Sequence, residues 1–319
     1  MAKTQEQAIS KNIYIDKVTW KKDFMRNGMV YIIFLPVFAY VFIFSYLPMF
    51  GIAMAFQDYR VARGFFGSEW VGLANFIELF SGEAFPSALR NTFIMAGFNL
   101  VLGFPAPIIF ALLISSIKFK RFRRTNQVIS YLPNFVAAVV LVTLIRQFLA
   151  PDGAITQLLQ FFGLPAQNWL TNPNPPVFWL INSLAGVWQG FGYGSILYIA
   201  AISGINGDLY EAAAIDGANG WQRMWKITIP CILPIIVMMF VLQFGILLRV
   251  GFDRVLLMYV PRTFPVADNL FTYTFRMAFG LAPNFGLGAA SGLFQSVIST
   301  ILLIASNQLS KKTTKMSLF

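Results

Sequence analysis

The side chains in this sequence that could do chemistry are suited to recognition rather than to bond breaking. There is no histidine and one cysteine, Cys231. A histidine-based zinc site or a Ser-His-Asp triad cannot be built, nor can an internal disulfide or a CxxC site. What the chain does have is a scatter of polar and aromatic residues inside apolar stretches: Asn99, Asn182, Trp188, Gln189, Tyr193, Gln243, Arg249 and Asp253. In a membrane interior such groups face a cavity or another helix. Trp188, Gln189, Gly190 and Tyr193 lie within one or two turns of each other on one helix. Sugars are held by aromatic faces and by amide or hydroxyl hydrogen bonds, which Trp, Tyr and Gln supply. The same side chains also serve helix–helix hydrogen bonding. Arg249 and Asp253 stand at i and i+4, a spacing at which they neutralise each other. An unpaired Arg249 favours an acidic sugar.

The elements that position these residues must cross a bilayer. The 319 residues are 57% hydrophobic and 12% charged, with a mean hydropathy of +0.65, too apolar for a soluble domain. Six segments are long enough to span as helices: 29–56, 88–117, 128–149, 178–203, 231–257 and 286–307. The expected fold is an all-α integral membrane protein, with 1–28 as a basic N-terminal tail, an interfacial helix near Trp20 and no cleavable signal peptide. Prolines 36, 48, 105, 107 and 234 fall in or near the spans. They are tolerated where neighbours satisfy the freed carbonyls. A net charge of +11 raises nucleic acid as a partner, but the basic residues sit in short loops between hydrophobic runs. With 1–28 inside, 16 of the 24 Lys and Arg fall on the inner side and four on the outer. Both termini and the segment 204–230 are thereby expected in the cytoplasm.

The outer segments 57–87 and 150–177 carry Phe65, Phe66, Trp70, Phe76, Phe80, Phe85, Trp169 and a Pro-rich run at 172–176. They predict short interfacial helices and turns, serving as an aromatic belt, as a docking rim for an extracytoplasmic partner, or as both. Gly288 and Gly292 form a GxxxG face in the last span.

One polar stretch, Asn206 to Pro230, lies between two apolar spans. Asp208 is the expected helix cap, with Glu211 reaching back to it. Ala212, Ala213 and Ala214 favour helix, and Gly217 breaks it. Trp221, Met224 and Trp225 make an apolar stripe on a second short helix, and Pro230 opens the next span. The spacing of Glu211, Ala212, Ala213, Gly217, Ile227 and Pro230 resembles the EAA loop of ATP-binding-cassette importer permeases, with Ile229 where Leu is common. The chain resembles the carbohydrate permeases of that class over nearly its whole length. Tyr46 to Gly51, Ala55 to Tyr59, Tyr273 to Phe279 and Phe285 to Ala290 are similar to the subgroup for complex oligo- and polysaccharides, alginate importers among them.

The resemblance implies a type I importer (MetI-like) fold of six transmembrane helices in a bacterial inner membrane. It implies a second homologous permease, two ATPase subunits that hold ATP and Mg, and an extracytoplasmic solute-binding protein. No cofactor is expected in this chain, which has no G-x-x-x-x-G-K-[ST] loop. Glu211, Ala212, Ala213, Asp216, Gly217, Ile227 and Pro230 would meet the ATPase. Tyr193 occupies the position of a sugar-stacking aromatic, with Gln189 one turn away, and Gln243 and Leu247 match positions lining the same site. Trp188 and Arg249 complete the expected pathway. An ion-coupled secondary transporter is the alternative, disfavoured because no inverted repeat is evident and Asp253 is the one deep acid. An intramembrane enzyme lacks the paired carboxylates or HExxH helix it would need.

Overall fold

The computed structural model describes residues 20–172 and 174–314. The predicted tail up to residue 19 and Pro173 of the outer loop lie outside the described residues. The chain divides into two units, Met1–Ala53 and Met54–Phe319.

The first unit holds helix α1, Trp20–Val41, followed by a π turn at Phe42–Tyr46. Asn27 has non-helical angles (φ −115°, ψ 23°), so a kink separates the turns beginning at Trp20 from the apolar run. Asp23 accepts from Asn27 Nδ2 at 2.8 Å and from Tyr31 OH at 2.6 Å across that kink.

The second unit starts in a 3₁₀ stretch that ends at Phe56 and leads into a two-residue hairpin, β1 (Gln57–Asp58) against β2 (Glu69–Trp70). Helices α2 (Ala74–Ser81), α3 (Ala84–Phe98), α4 (Pro105–Ser115), α5 (Lys120–Tyr131), α6 (Ala138–Phe148) and α7 (Ala154–Phe161) come next. Then come α8 (Pro175–Gly194), α9 (Ile196–Ser203), α10 (Gly207–Ile215), α11 (Gly220–Arg223) and α12 (Ile229–Gly245). The chain closes with α13 (Phe252–Met258), α14 (Leu270–Phe279) and α15 (Phe285–Thr314).

Among the described residues, four helical stretches are long and apolar enough to cross a membrane: Asp23–Phe56, Ala84–Ser115, Gly220–Gly245 and Phe285–Thr314. A fifth is possible if Lys120–Phe135 and Ala138–Phe148, bent by 96°, count as one. The predicted span 178–203 folds as α8 and α9, interrupted at Ser195, and is not among these four. The predicted span 231–257 is corrected: the helix ends at Gly245, and Phe252–Met258 is a separate element. Gly251, at φ +56°, stands immediately before that second element and caps its start in the left-handed region.

A single rule accounts for the irregular turns. The π turns Phe42–Tyr46, Asn99–Gly103 and Met224–Thr228 each end two residues before a proline, at Pro48, Pro105 and Pro230. A proline ring collides with the carbonyl four residues back and offers no N–H to it. Widening the preceding turn relieves both conflicts without ending the helix.

Two apolar clusters hold the second unit. One packs Met95, Val142, Phe178, Val255 and Met258; the other packs Leu79, Phe85, Leu248, Leu270 and Leu287. The segment 258–285, between the last two predicted spans, holds α14 and is packed into the body. Asn91 Nδ2 donates to the carbonyls of Pro265 (2.9 Å) and Asp268 (3.0 Å), and Asn269 Nδ2 to that of Val250 (3.0 Å). Arg276 pairs with Asp268 at 2.6 Å. Burial opposes the Arg276 charge, but the Asp268 contact outweighs it and holds its pKa above the ordinary value. The aromatics of 57–87 divide: Phe85 is core, whereas Phe66 and Trp70 are exposed. Half of the GxxxG face is used for packing. Gly288 faces the Ala278 backbone of α14, while Gly292 has open space beside it.

Candidate functional site

The Asn206–Pro230 stretch forms a shelf. Asn206, not Asp208, caps α10; its side-chain oxygen accepts from Asp208 N at 3.1 Å. The cap sits two residues earlier than expected because the helix already begins at Gly207. The end of α10 is a Schellman turn. Ala218 N donates to Ala213 O at 2.8 Å and Gly217 N to Ala214 O at 3.1 Å, with Gly217 at φ +79°. Asn219 and Gln222 then exchange two 2.8 Å bonds, a capping box that starts α11 at once. The expected second short helix is corrected: α11 runs through the π turn into α12 as one stretch, Gly220–Gly245. Tyr210 OH and Thr228 Oγ1, 2.9 Å apart, pin the shelf to that stretch. Glu211 and Asp216 are exposed, as are Ile215, Trp221 and Trp225, the two indoles edge-on at 5.8 Å. Large apolar side chains grouped on a polar turn mark a contact surface for a protein or a membrane.

A second locus is a cavity of about 590 Å³ bounded by the π turn at Asn99 and by α6, α8, α13 and α14. Asn99, Gln189, Arg249, Asp253, Arg254 and Phe271 line it. Gln189 Nε2 donates to Val136 O at 2.9 Å, the carbonyl exposed where the bent pair breaks. Its Oε1 accepts from Arg254 Nη1 at 3.1 Å. The Arg249 guanidinium lies 5.7 Å from the Phe271 ring centre, a cation–π distance. The i, i+4 neutralisation of Arg249 by Asp253 does not occur. The chain between them is non-helical, and neither residue forms an ion pair among the described residues. Gly251 is required twice over here. Its φ is +56°, and a Cβ would lie 2.9 Å from both Arg254 Nη2 and Asn182 Oδ1. That Asn182 oxygen is buried without a partner.

The other expected pathway residues are dispersed. Trp188, next to Gln189 but turned to another face, lines an apolar cavity of about 420 Å³ with Leu141, Leu144 and Leu184. Gln243 lines a cavity of about 220 Å³ that shares Asn99 with the polar one. Tyr193 is half exposed, its ring edge-on to Phe135 at 6.2 Å. Leu247 is packed in the core rather than along a cavity, because the chain leaves the helix at Gly245 and turns that side chain inward. Arg254 escapes sequence reasoning, which sets it at the edge of a continuous span. The signal that separates it, Gly251 between two apolar runs, is a weak one.

Comparison with known proteins agrees with this architecture. The chain is 36% identical over 308 residues to the polygalacturonan/rhamnogalacturonan transport system permease protein YteP of Bacillus subtilis (strain 168), covering 93% of this chain and 95% of that one. A crystal structure of a bacterial ABC transporter involved in the import of the acidic polysaccharide alginate superposes with a TM-score of 0.84 at 36% identity, over 92% of this chain and 98% of that one. The alginate ABC transporter in complex with an alginate pentasaccharide-bound periplasmic protein gives 0.85 at 36% identity, over 94% and 99%. Residues 103–315 match the family described as binding-protein-dependent transport system inner membrane component, and this chain belongs to it.

Proposed function

We propose that the chain is one of two membrane subunits of an ATP-driven importer for an acidic oligo- or polysaccharide. In this reading six spans cross a bacterial inner membrane, with α8 and α9 together as one and both termini in the cytoplasm. A second, homologous permease completes the pore. An extracytoplasmic binding protein delivers the substrate, and two ATPase subunits carry ATP and Mg. The shelf around Glu211, Ala212, Ala213, Asp216, Gly217, Ile227 and Pro230 meets the ATPase, and its exposed indoles supply apolar contact area. Closure of the ATPase dimer moves the shelf, and α11–α12 passes the motion on because it is continuous. A nearly complete switch between outward- and inward-facing states needs a differential of about 5.5 kcal/mol.

The observation that carries the substrate class is the pair Arg249 and Arg254 in one polar cavity, two cations against the single carboxylate of Asp253, which pairs with neither within ion-pair distance. Guanidinium groups hold carboxylates bidentately. The solved relative's import of an acidic polysaccharide supports the same assignment. Family membership disfavours the ion-coupled alternative. The test is uptake by the reconstituted importer of acidic and neutral oligosaccharides of equal length. Arg249→Gln is expected to raise KM for the acidic one by roughly ten- to a hundredfold, the loss of one charge-assisted contact of roughly 1.5–3 kcal/mol, and to leave the neutral one unchanged. Equal KM values for wild type and variant on the acidic substrate would remove Arg249 from the pathway.

A further inference from the structure

A larger cavity, of about 720 Å³, lies apart from the polar one, between the shelf and the ends of α4, α5 and α9. Lys118, Arg123 and Arg223 line it, and no Asp or Glu among the described residues does. Arg123 and Arg223 are half-buried, and neither forms an ion pair with a described residue. Gln127 and the Tyr210–Thr228 hydroxyl pair add neutral donors to the same wall. Half-burying two cations without a counter-charge is unfavourable, and an anion from outside relieves it. Two guanidinium forks with an ammonium nearby suit an anion with three accepting oxygens better than a carboxylate with two. The volume exceeds that of bare phosphate and falls in the range of small-ligand sites, roughly 300–1,000 Å³, so there is room for a phosphate-bearing molecule larger than phosphate itself.

We propose that this cavity is a binding site for a phosphate-bearing anion, held by Arg123 and Arg223 with Lys118 at its rim. Two sources share that chemistry, an anionic phospholipid headgroup and a soluble phosphate compound. The site adjoins the Tyr210–Thr228 pin, so its occupancy stiffens the joint between shelf and span. The proposal does not depend on which sugar is carried.

The experiment uses the full chain in phosphatidylcholine nanodiscs, with and without phosphatidylglycerol, read by native mass spectrometry and by thermal unfolding with added inorganic phosphate. Wild type is expected to retain phosphatidylglycerol over phosphatidylcholine if the source is lipid. If the source is soluble, it is expected to show a phosphate-dependent rise in Tm in pure phosphatidylcholine. In the Arg123→Gln/Arg223→Gln variant either response should fall about tenfold or more, as for losing two charge-assisted contacts. Should that variant fail to fold, Arg123→Lys and Arg223→Lys keep the charge but lose the fork, and a weaker response in each supports the site. A wild type with neither lipid preference nor phosphate shift overturns the proposal, as does an undiminished response in the folded variants.

Discussion

At the scale of single residues, the shelf rests on Gly217 more than on its carboxylates. A Cβ at Gly217 would meet nothing within 4 Å, so the first side-chain carbon has open space. The penalty is conformational, because φ is +79°, where a β-branched residue is strained by roughly 1–2 kcal/mol. Gly217→Val is therefore expected to fold and insert but to distort the Schellman turn. Pull-down of the ATPase subunit should fall, or substrate-stimulated hydrolysis should uncouple from uptake. Gly217→Asn, which tolerates the left-handed region, should recover most of the coupling. If Gly217→Val couples as wild type does, the turn has no part in meeting the ATPase. Glu211 takes a different role from the one its spacing suggests. Asn206 does the capping, which leaves the Glu211 carboxylate exposed for a partner.

At the scale of elements, three prolines, Pro48, Pro105 and Pro230, each follow a π turn that shifts the helical phase before them. The π turn Met224–Thr228, which carries Trp225 itself, inserts one extra residue between Trp221 and the span α12. One residue corresponds to about 100° of helix rotation. Pro230→Ala removes the ring clash and restores an N–H, so the π turn should relax toward a regular helix and swing the indoles around its axis. Helix content and Tm should hold or rise, while coupled ATP hydrolysis should drop. Spin-label distances from Trp221→Cys to a fixed site on α15, in a Cys231-free background, would report the rotation. Unchanged distances together with normal coupling would mean that the π turn does not orient the shelf.

At the scale of the whole molecule, orientation is the claim on which the proposed ATPase contact depends. Ser81 at the end of α2 and Thr125 on α5 are both exposed, as is Cys231. In a Cys231→Ala background, Ser81→Cys is expected to react with a membrane-impermeant thiol reagent in intact cells, and Thr125→Cys is not. The reverse pattern would turn the protein over and place the shelf away from the cytosol. Helix α1, in its own unit, exposes Ile32, Ile33, Phe34 and Leu35 along an unbroken apolar run.

What the sequence determined by itself was whatever depends on composition and on neighbours along the chain. Apolar runs of about twenty residues specify membrane helices because an unpaired backbone group in lipid is too unfavourable to tolerate. The Glu-Ala-Ala to Gly217 spacing specifies a helix and its stop. The family was likewise legible from motif and length. What only the tertiary structure decided was where the chain leaves a helix and which side chains then meet. The fifth predicted span breaks between Gly245 and Phe252, so Arg249 faces Phe271 instead of Asp253, and Arg254 joins Gln189 from a distant part of the chain. The segment 258–285 is polar enough to read as a loop, yet Asn91 and Asn269 satisfy backbone groups across elements and bury it. Such bonds link positions far apart in sequence, and local periodicity holds no record of them; packing chose among partners that composition left equal.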